Sequence, residues 1–205
     1  MERFLANINR YLLYIVAGYV LIDYGLRNSG LAFMAGYWDE MLFILVVASW
    51  ILLVAARGDK PHGGGLFFPL LIFYAAMFFS FLIKGSEPGV ALLELRAVVQ
   101  YSFWFFVAVN LMHDRRQVLN FCDLFLLVGL VVALYGIYQY IVGVEIPATW
   151  VDRAETAVRT RAFSFIGSPN VLGSFLILEA SLAFASFMAT KNWLKKRAYL
   201  GVAGI

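Results

Sequence analysis

The sequence predicts an all-α fold, a polytopic transmembrane helical bundle of six helices with the start of a seventh. Three observations predict it. The chain of 205 residues is 62% hydrophobic and only 14% charged, with a mean hydropathy of +0.80. A soluble domain averages about 45–50% apolar and about 25% charged residues, so a water-exposed core of this size could not absorb so much apolar side chain. Its apolar residues also fall in runs close to the roughly 20 residues that a helix needs to cross about 30 Å of hydrocarbon. Finally, these runs are continuous and do not alternate with period two, which disfavours a β-barrel.

The runs cover residues 11–26, 38–56, 66–83, 97–111, 119–142 and 169–188, and a further one begins near Ala198. Arg3 and Arg10 before the first run imitate a secretory signal, but Tyr19, Asp23 and Tyr24 stand where a cleavage site needs small residues. It therefore reads as a retained helix. Breaker clusters separate the others: Asn28-Ser29-Gly30, Gly58-Asp59-Lys60-Pro61 followed by Gly63-Gly64-Gly65, and Gly85-Ser86-Glu87-Pro88-Gly89. His113-Asp114-Arg115-Arg116 makes a short charged turn. No repeat is visible and no soluble domain fits between the runs, so residues 1–205 are expected as one transmembrane domain.

Orientation follows from lysine and arginine. With the N-terminus in the cytoplasm, the inner segments hold Arg3, Arg10, Arg57, Lys60, Arg115, Arg116, Lys191, Lys195, Lys196 and Arg197. The outer ones hold Arg27, Lys84, Arg96, Arg153, Arg159 and Arg161. Ten against six favours an inside N-terminus and makes 143–168 an extracytoplasmic loop. The surplus of three positive charges is scattered, which fits topology and not nucleic acid. The single cysteine, Cys122, can form no intrachain disulfide. Neither a phosphate-binding P-loop nor a dinucleotide fingerprint, a CxxC pair or an HExxH zinc motif occurs, so no cofactor or metal is expected.

Loop 143–168 carries arginines against the charge bias, and it ends in Arg159-Thr160-Arg161-Ala162-Phe163-Ser164-Phe165-Ile166-Gly167-Ser168-Pro169-Asn170. Ser168 can cap the sixth helix, and Pro169 suits its first turn because the missing N–H would have been an orphan. Asn170 adds an amide at the positive end of the helix, where anions bind readily. Arg161 offers a planar fork of donors to the same spot, so a phosphate or pyrophosphate at the outer surface is the natural ligand. An ordinary capped helix, with loop arginines on lipid phosphates, fits the same residues.

The stretch from Arg161 to Asn170 resembles a motif of the bacterial O-antigen ligase and polymerase family: an arginine, a short glycine-containing segment, and Pro-Asn opening a transmembrane helix. Arg161, Gly167, Pro169 and Asn170 fall in register, while Ser164 stands where glycine is common and Ser168 where asparagine or histidine is common. Trp38-Asp39-Glu40 at the outer edge of the second run fits the family layout as well. The resemblance implies an inner-membrane glycosyltransferase of lipopolysaccharide and polysaccharide biosynthesis. Such enzymes move a glycan from undecaprenyl pyrophosphate to an acceptor glycan or glycolipid on the periplasmic side, without a metal or nucleotide sugar. Its pyrophosphate-holding arginine maps here onto Arg161; Asn170 at the helix start, and Arg159 and Arg96 at the outer surface, complete the expected substrate-binding residues. Family members are longer and carry a proposed catalytic histidine in a later periplasmic loop. This chain is accordingly expected to be an amino-terminal membrane part, inactive alone. His62 and His113 fall on cytoplasmic loops in this topology, so the catalytic base is unknown.

Glu179 lies nine residues into the sixth run, roughly 14 Å deep. At 100° per residue it faces away from Asn170, Ser174 and Ser181, which suits an interhelical contact better than the motif's pocket. Arg96, Gln100 and Asn110 share a polar stripe on the fourth run, where Arg96 can hold the carrier or snorkel at the interface. Tyr135, Tyr138, Gln139 and Tyr140 read as an aromatic belt. The competing function is a transporter or a lipid-binding scaffold without catalysis, in which Glu179 would be a coupling carboxylate.

Overall fold

The computed structural model describes residues 1–84, 87–145 and 160–205. Among the described residues the fold is all-α: α1 (Glu2–Ala17), α2 (Tyr19–Arg27), α3 (Ala32–Ala35), α4 (Trp38–Arg57), α5 (Phe67–Lys84), α6 (Pro88–Leu111), α7 (Arg115–Val142), α8 (Pro169–Ala189) and α9 (Trp193–Ala203). Four helices are long and apolar enough to cross a membrane: α4, the Leu92–Leu111 part of α6, α7 and α8. The bent pair α1 and α2 makes a fifth if it counts as one span. Ile83 is 84% exposed and Ile177 71% exposed to surroundings other than protein, which water would not tolerate across whole helix faces. Lipid is the solvent that suits them, and the chain reads as a multi-pass helical membrane protein.

The helix ends follow local chemistry. The run expected at 38–56 becomes α4, with Asp39 and Glu40 in its positive first turn. It stops at Gly58, whose left-handed φ of 69° lets its N–H reach the Val54 carbonyl at 3.0 Å. The runs at 119–142 and 169–188 lie within α7 and α8 as expected. The fourth helix starts earlier than the apolar run, at Pro88, because proline suits a first turn. The 66–83 run forms α5, whose apolar stretch Phe67–Ile83 ranks as a shorter helix. The first run differs most. Its continuous apolar stretch bends by 68° between α1 and α2, at Gly18. Near Ala198 the seventh run belongs to α9, which opens earlier because the Asn192 side chain accepts from the N–H groups of Leu194 and Lys195, at 3.0 and 3.2 Å.

The chain divides into two compact units, Met1–Leu13 with Tyr37–Val118, and Tyr14–Gly36 with Leu119–Ile205. In the first, α4 meets α6 through aromatic edges: Phe43 lies 5.9 Å from Phe103 and 5.4 Å from Trp104, both edge-to-face. Asn9 of α1 joins α4 through a buried polar pair, with the Ser49 hydroxyl donating to Asn9 Oδ1 at 2.7 Å. With no hydrophobic drive between helices in lipid, such hydrogen bonds and close packing hold them together.

The second unit is built around Val128, Val132 and Leu172, which join α7 to α8. Val20 and Leu21 of α2 pack on them, as do Ala162, Phe165 and Ile166 of the loop before α8. At its other end Lys195 of α9 pairs with Asp123 of α7 at 2.6 Å, and the Tyr199 hydroxyl donates to the same carboxylate. Hydrogen bonding to Asp123 raises the Lys195 pKa above its ordinary 10.5.

Candidate anion site at the start of α8

The segment 160–168 crosses the second unit and delivers the chain to α8. Gln139, buried in α7, holds it: its side-chain carbonyl accepts from the backbone N–H groups of Phe163 at 3.0 Å and Ser164 at 2.7 Å. The Ser164 hydroxyl donates in turn to the Val132 carbonyl at 2.6 Å. Phe165 stacks on Tyr135 at 4.3 Å and meets Tyr24 edge-on at 4.9 Å. Upstream, the Thr160 hydroxyl donates to the Val144 carbonyl at 3.1 Å.

This anchoring forces two left-handed residues. Gly167 has φ 76°, which glycine adopts freely. Ser164 has φ 49°, and it is the sole non-glycine residue with positive φ among the described residues. That conformation costs an L-residue about 1–2 kcal/mol, offset here by two hydrogen bonds at the buried Ser164 and a third at its neighbour Phe163.

The helix start is as the residues require. Ser168 is extended and accepts from Val171 N at 3.5 Å, a long capping bond, and Pro169 occupies the first turn. Leu172 N–H makes the first full helical bond, to the Ser168 carbonyl at 2.9 Å. Asn170 is exposed, and neither its N–H nor its side-chain amide donates to a partner among the described residues. An exposed amide beside the positive end of a long helix is a ready seat for an anion.

Of the four expected binding residues, Arg161 and Asn170 belong to this segment, with Arg161 half-buried in it. Arg159 lies at 146–159, outside the described residues. Arg96 belongs to the first unit, where one of its guanidinium nitrogens donates to Glu40 at 2.6 Å. Asn110, from the same expected stripe, is occupied otherwise: it accepts from His62 N at 2.7 Å and donates to the His62 carbonyl at 2.8 Å. No group of three or more histidine, cysteine and acidic residues able to hold a metal occurs among the described residues.

Two residues matter more than their sequence context suggested. From sequence Gln139 reads as part of a group of interfacial tyrosines, yet it is the anchor of the segment. An amide in the otherwise apolar stretch 124–142 is the signal that marks it, since a buried amide needs a partner. Tyr135 belongs with it, as the platform for Phe165. Glu179, by contrast, is where helical geometry put it, facing away from the exposed Asn170, Ser174 and Ser181. It is 2% exposed, and neither carboxyl oxygen has a hydrogen-bond partner among the described residues. Its contact is Gly129 of α7, where a Cβ would overlap the carboxyl group.

No protein-family model, no curated protein and no solved structure matches this chain.

Proposed function

We propose that the chain is a carrier-binding membrane part of an O-antigen ligase-like glycosyltransferase of the bacterial inner membrane. Undecaprenyl-pyrophosphate-linked glycan is its donor, and Arg161 with the Asn170 end of α8 is the pyrophosphate seat. Arg159 lies close in sequence to that seat, and Arg96 is a second candidate phosphate contact.

The conformation of Ser164 carries the reading. Ser164 sits where the family's motif commonly has glycine, and its φ of 49° is the region that glycine favours. Together with Gly167 at φ 76° and the Ser168-Pro169 helix start, the segment has the backbone that the motif's residue choices call for. Arginine suits the role because its fork can hold two phosphate oxygens at once, which a lysine ammonium cannot copy.

Because this reading leaves the chain without a catalytic base of its own, the test is carrier-linked glycan transfer by the complete protein, at matched protein levels in membranes. Arg161→Lys is expected to lose nearly as much as Arg161→Ala, about ten- to a hundredfold for a charge-assisted hydrogen bond of roughly 1.5–3 kcal/mol. Full activity in Arg161→Lys overturns the pyrophosphate fork. The second reading, a transporter or a lipid-binding scaffold, draws on the buried and unpartnered Glu179. Under the transferase reading Glu179→Gln leaves glycan transfer intact; loss of a solute flux in that variant supports the transporter.

A further inference from the structure

Two adjoining cavities of the first unit share Trp50, His62 and Asn110 in their walls. The smaller, about 220 Å³, is lined by Arg57, Asp59, Lys60, His62 and His113 among others. These five come from three segments: the last turn of α4, the turn that follows it, and the residues just after α6. All five are exposed, and among the described residues none of their side chains makes an ion pair or a hydrogen bond.

The turn is fixed where it crosses α6. Asn110 holds both the N–H and the carbonyl of His62, at 2.7 and 2.8 Å. Gly64 lies so near that a Cβ there would stand 3.1 Å from the Phe105 ring. Lys60 and His62 are therefore held at the same cavity as His113 before any ligand arrives.

Charge selects the head of that ligand. Arg57 and Lys60 are cations against the one carboxylate of Asp59, and each imidazole adds an N–H donor. The negative end of α4 accounts for Arg57 in its last turn, but a helix dipole fades within that turn and Lys60 lies beyond it. A phosphate suits the set, since a guanidinium fork can hold two of its oxygens and an ammonium a third. Basic pockets between membrane helices take anionic lipid head groups on the same ground.

The larger cavity, about 500 Å³, gives the hydrocarbon its place. Phe67 and Leu71 of α5 and Phe103 and Phe106 of α6 wall it along roughly 10 Å of each helix. Phe67 is 44% and Leu71 53% exposed, so the groove opens toward lipid. Its polar side chains are already occupied or shielded. The Tyr74 hydroxyl bonds Ser102 at 2.5 Å, the Asn110 amide serves His62 and Phe106, and the Trp50 N–H has no exposed surface.

We infer that the two cavities form one site for an anionic, phosphate-bearing lipid. Its phosphate sits among Arg57, Lys60, His62 and His113, and its hydrocarbon tail lies in the aromatic groove. A soluble phosphate leaves the groove unused, and a zwitterionic lipid brings a further cation to a cavity richer in cations than carboxylates. The site belongs to the first unit and does not rest on the carrier seat at Arg161.

The experiment purifies the full chain in mild detergent and offers it an equal mixture of phosphatidylglycerol, phosphatidylethanolamine and phosphatidylcholine. Native mass spectrometry reads the lipid retained per chain. One phosphatidylglycerol is expected, preferred about fivefold or more over each zwitterionic lipid. Lys60→Gln and Arg57→Gln each bring retention close to equality, since one basic residue facing an anionic lipid is worth about fivefold. Asp59→Asn raises the preference, and Arg116→Gln, exposed but outside both cavities, leaves it unchanged. Glycerol phosphate at the lipid's concentration does not displace it, because it lacks the tail. Lys60 is an exposed turn residue, so its variant folds, and phosphatidylglycerol raises its melting midpoint less than that of the native chain. Equal retention of the three lipids overturns the selection by charge. Equal losses from Lys60→Gln and Arg116→Gln reduce the pocket to a positive surface and overturn the site. Displacement by glycerol phosphate overturns the role of the groove.

Discussion

Each unit holds a loop with one buried amide, and the two loops differ in what the amide maintains. In the first, Asn110 grips the backbone of His62 through both N–H and carbonyl. The surrounding turn takes its left-handed positions at glycines, Gly58 at φ 69° and Gly64 at φ 64°. His62 is exposed, so water can take over if the amide lets go. In the second, Gln139 grips two successive N–H groups, and beside the left-handed Gly143 and Gly167 a buried serine, Ser164, is also left-handed. The first arrangement is a tether at rest. The second keeps a strained backbone in place, as residues around binding and catalytic sites often do, because surrounding contacts over-determine it.

That comparison breaks most readily at the amides. Gln139→Leu strands the N–H groups of Phe163 and Ser164 and is expected to lower stability by roughly 2–4 kcal/mol. Asn110→Leu is expected to cost about 1 kcal/mol, since solvent replaces the lost partner. Thermal unfolding in detergent, with protease cleavage mapped over 160–168, measures both. Equal losses would mean that the two loops are held alike.

Glu179 sharpens the comparison with the opposite sign. It is a buried polar group with no hydrogen-bond partner among the described residues, so Glu179→Met should raise stability by about 1–3 kcal/mol where Gln139→Leu lowers it. A fall in the melting midpoint of Glu179→Met would reveal a partner that the carboxyl needs. Gly129→Ala is expected to lower stability by about 1–3 kcal/mol, because the added methyl meets that carboxyl.

The smallest effect separates strain from hydrogen bonding. Ser164→Ala loses the bond to Val132 and keeps the left-handed backbone, a cost of about 1 kcal/mol. Ser164→Gly loses the same bond but relaxes the backbone, leaving a net change within about 0.5 kcal/mol. If both variants melt alike, position 164 stores no strain, and the reading of the segment as a held motif weakens with it.

Hydropathy alone determined that the chain is helical and that its apolar runs cross or line a membrane, because bilayer thickness sets run length without reference to any neighbour. It also determined where α7 and α8 lie, and the cap at Ser168-Pro169, since capping involves groups within one turn. What lay beyond it depends on contacts between distant residues. A glycine in an apolar run suits a straight helix or a bend, and the chain takes the bend at Gly18. Arg96 reads as an interfacial arginine until Glu40, 56 residues away, is beside it. Gln139 reads as part of a belt until the backbone of Ser164, 25 residues on, comes within 2.7 Å. Helix propensity and hydrophobicity are sums over neighbours in sequence, whereas a polar side chain in lipid takes its role from whichever helix or loop satisfies it, and only the tertiary structure chooses that partner.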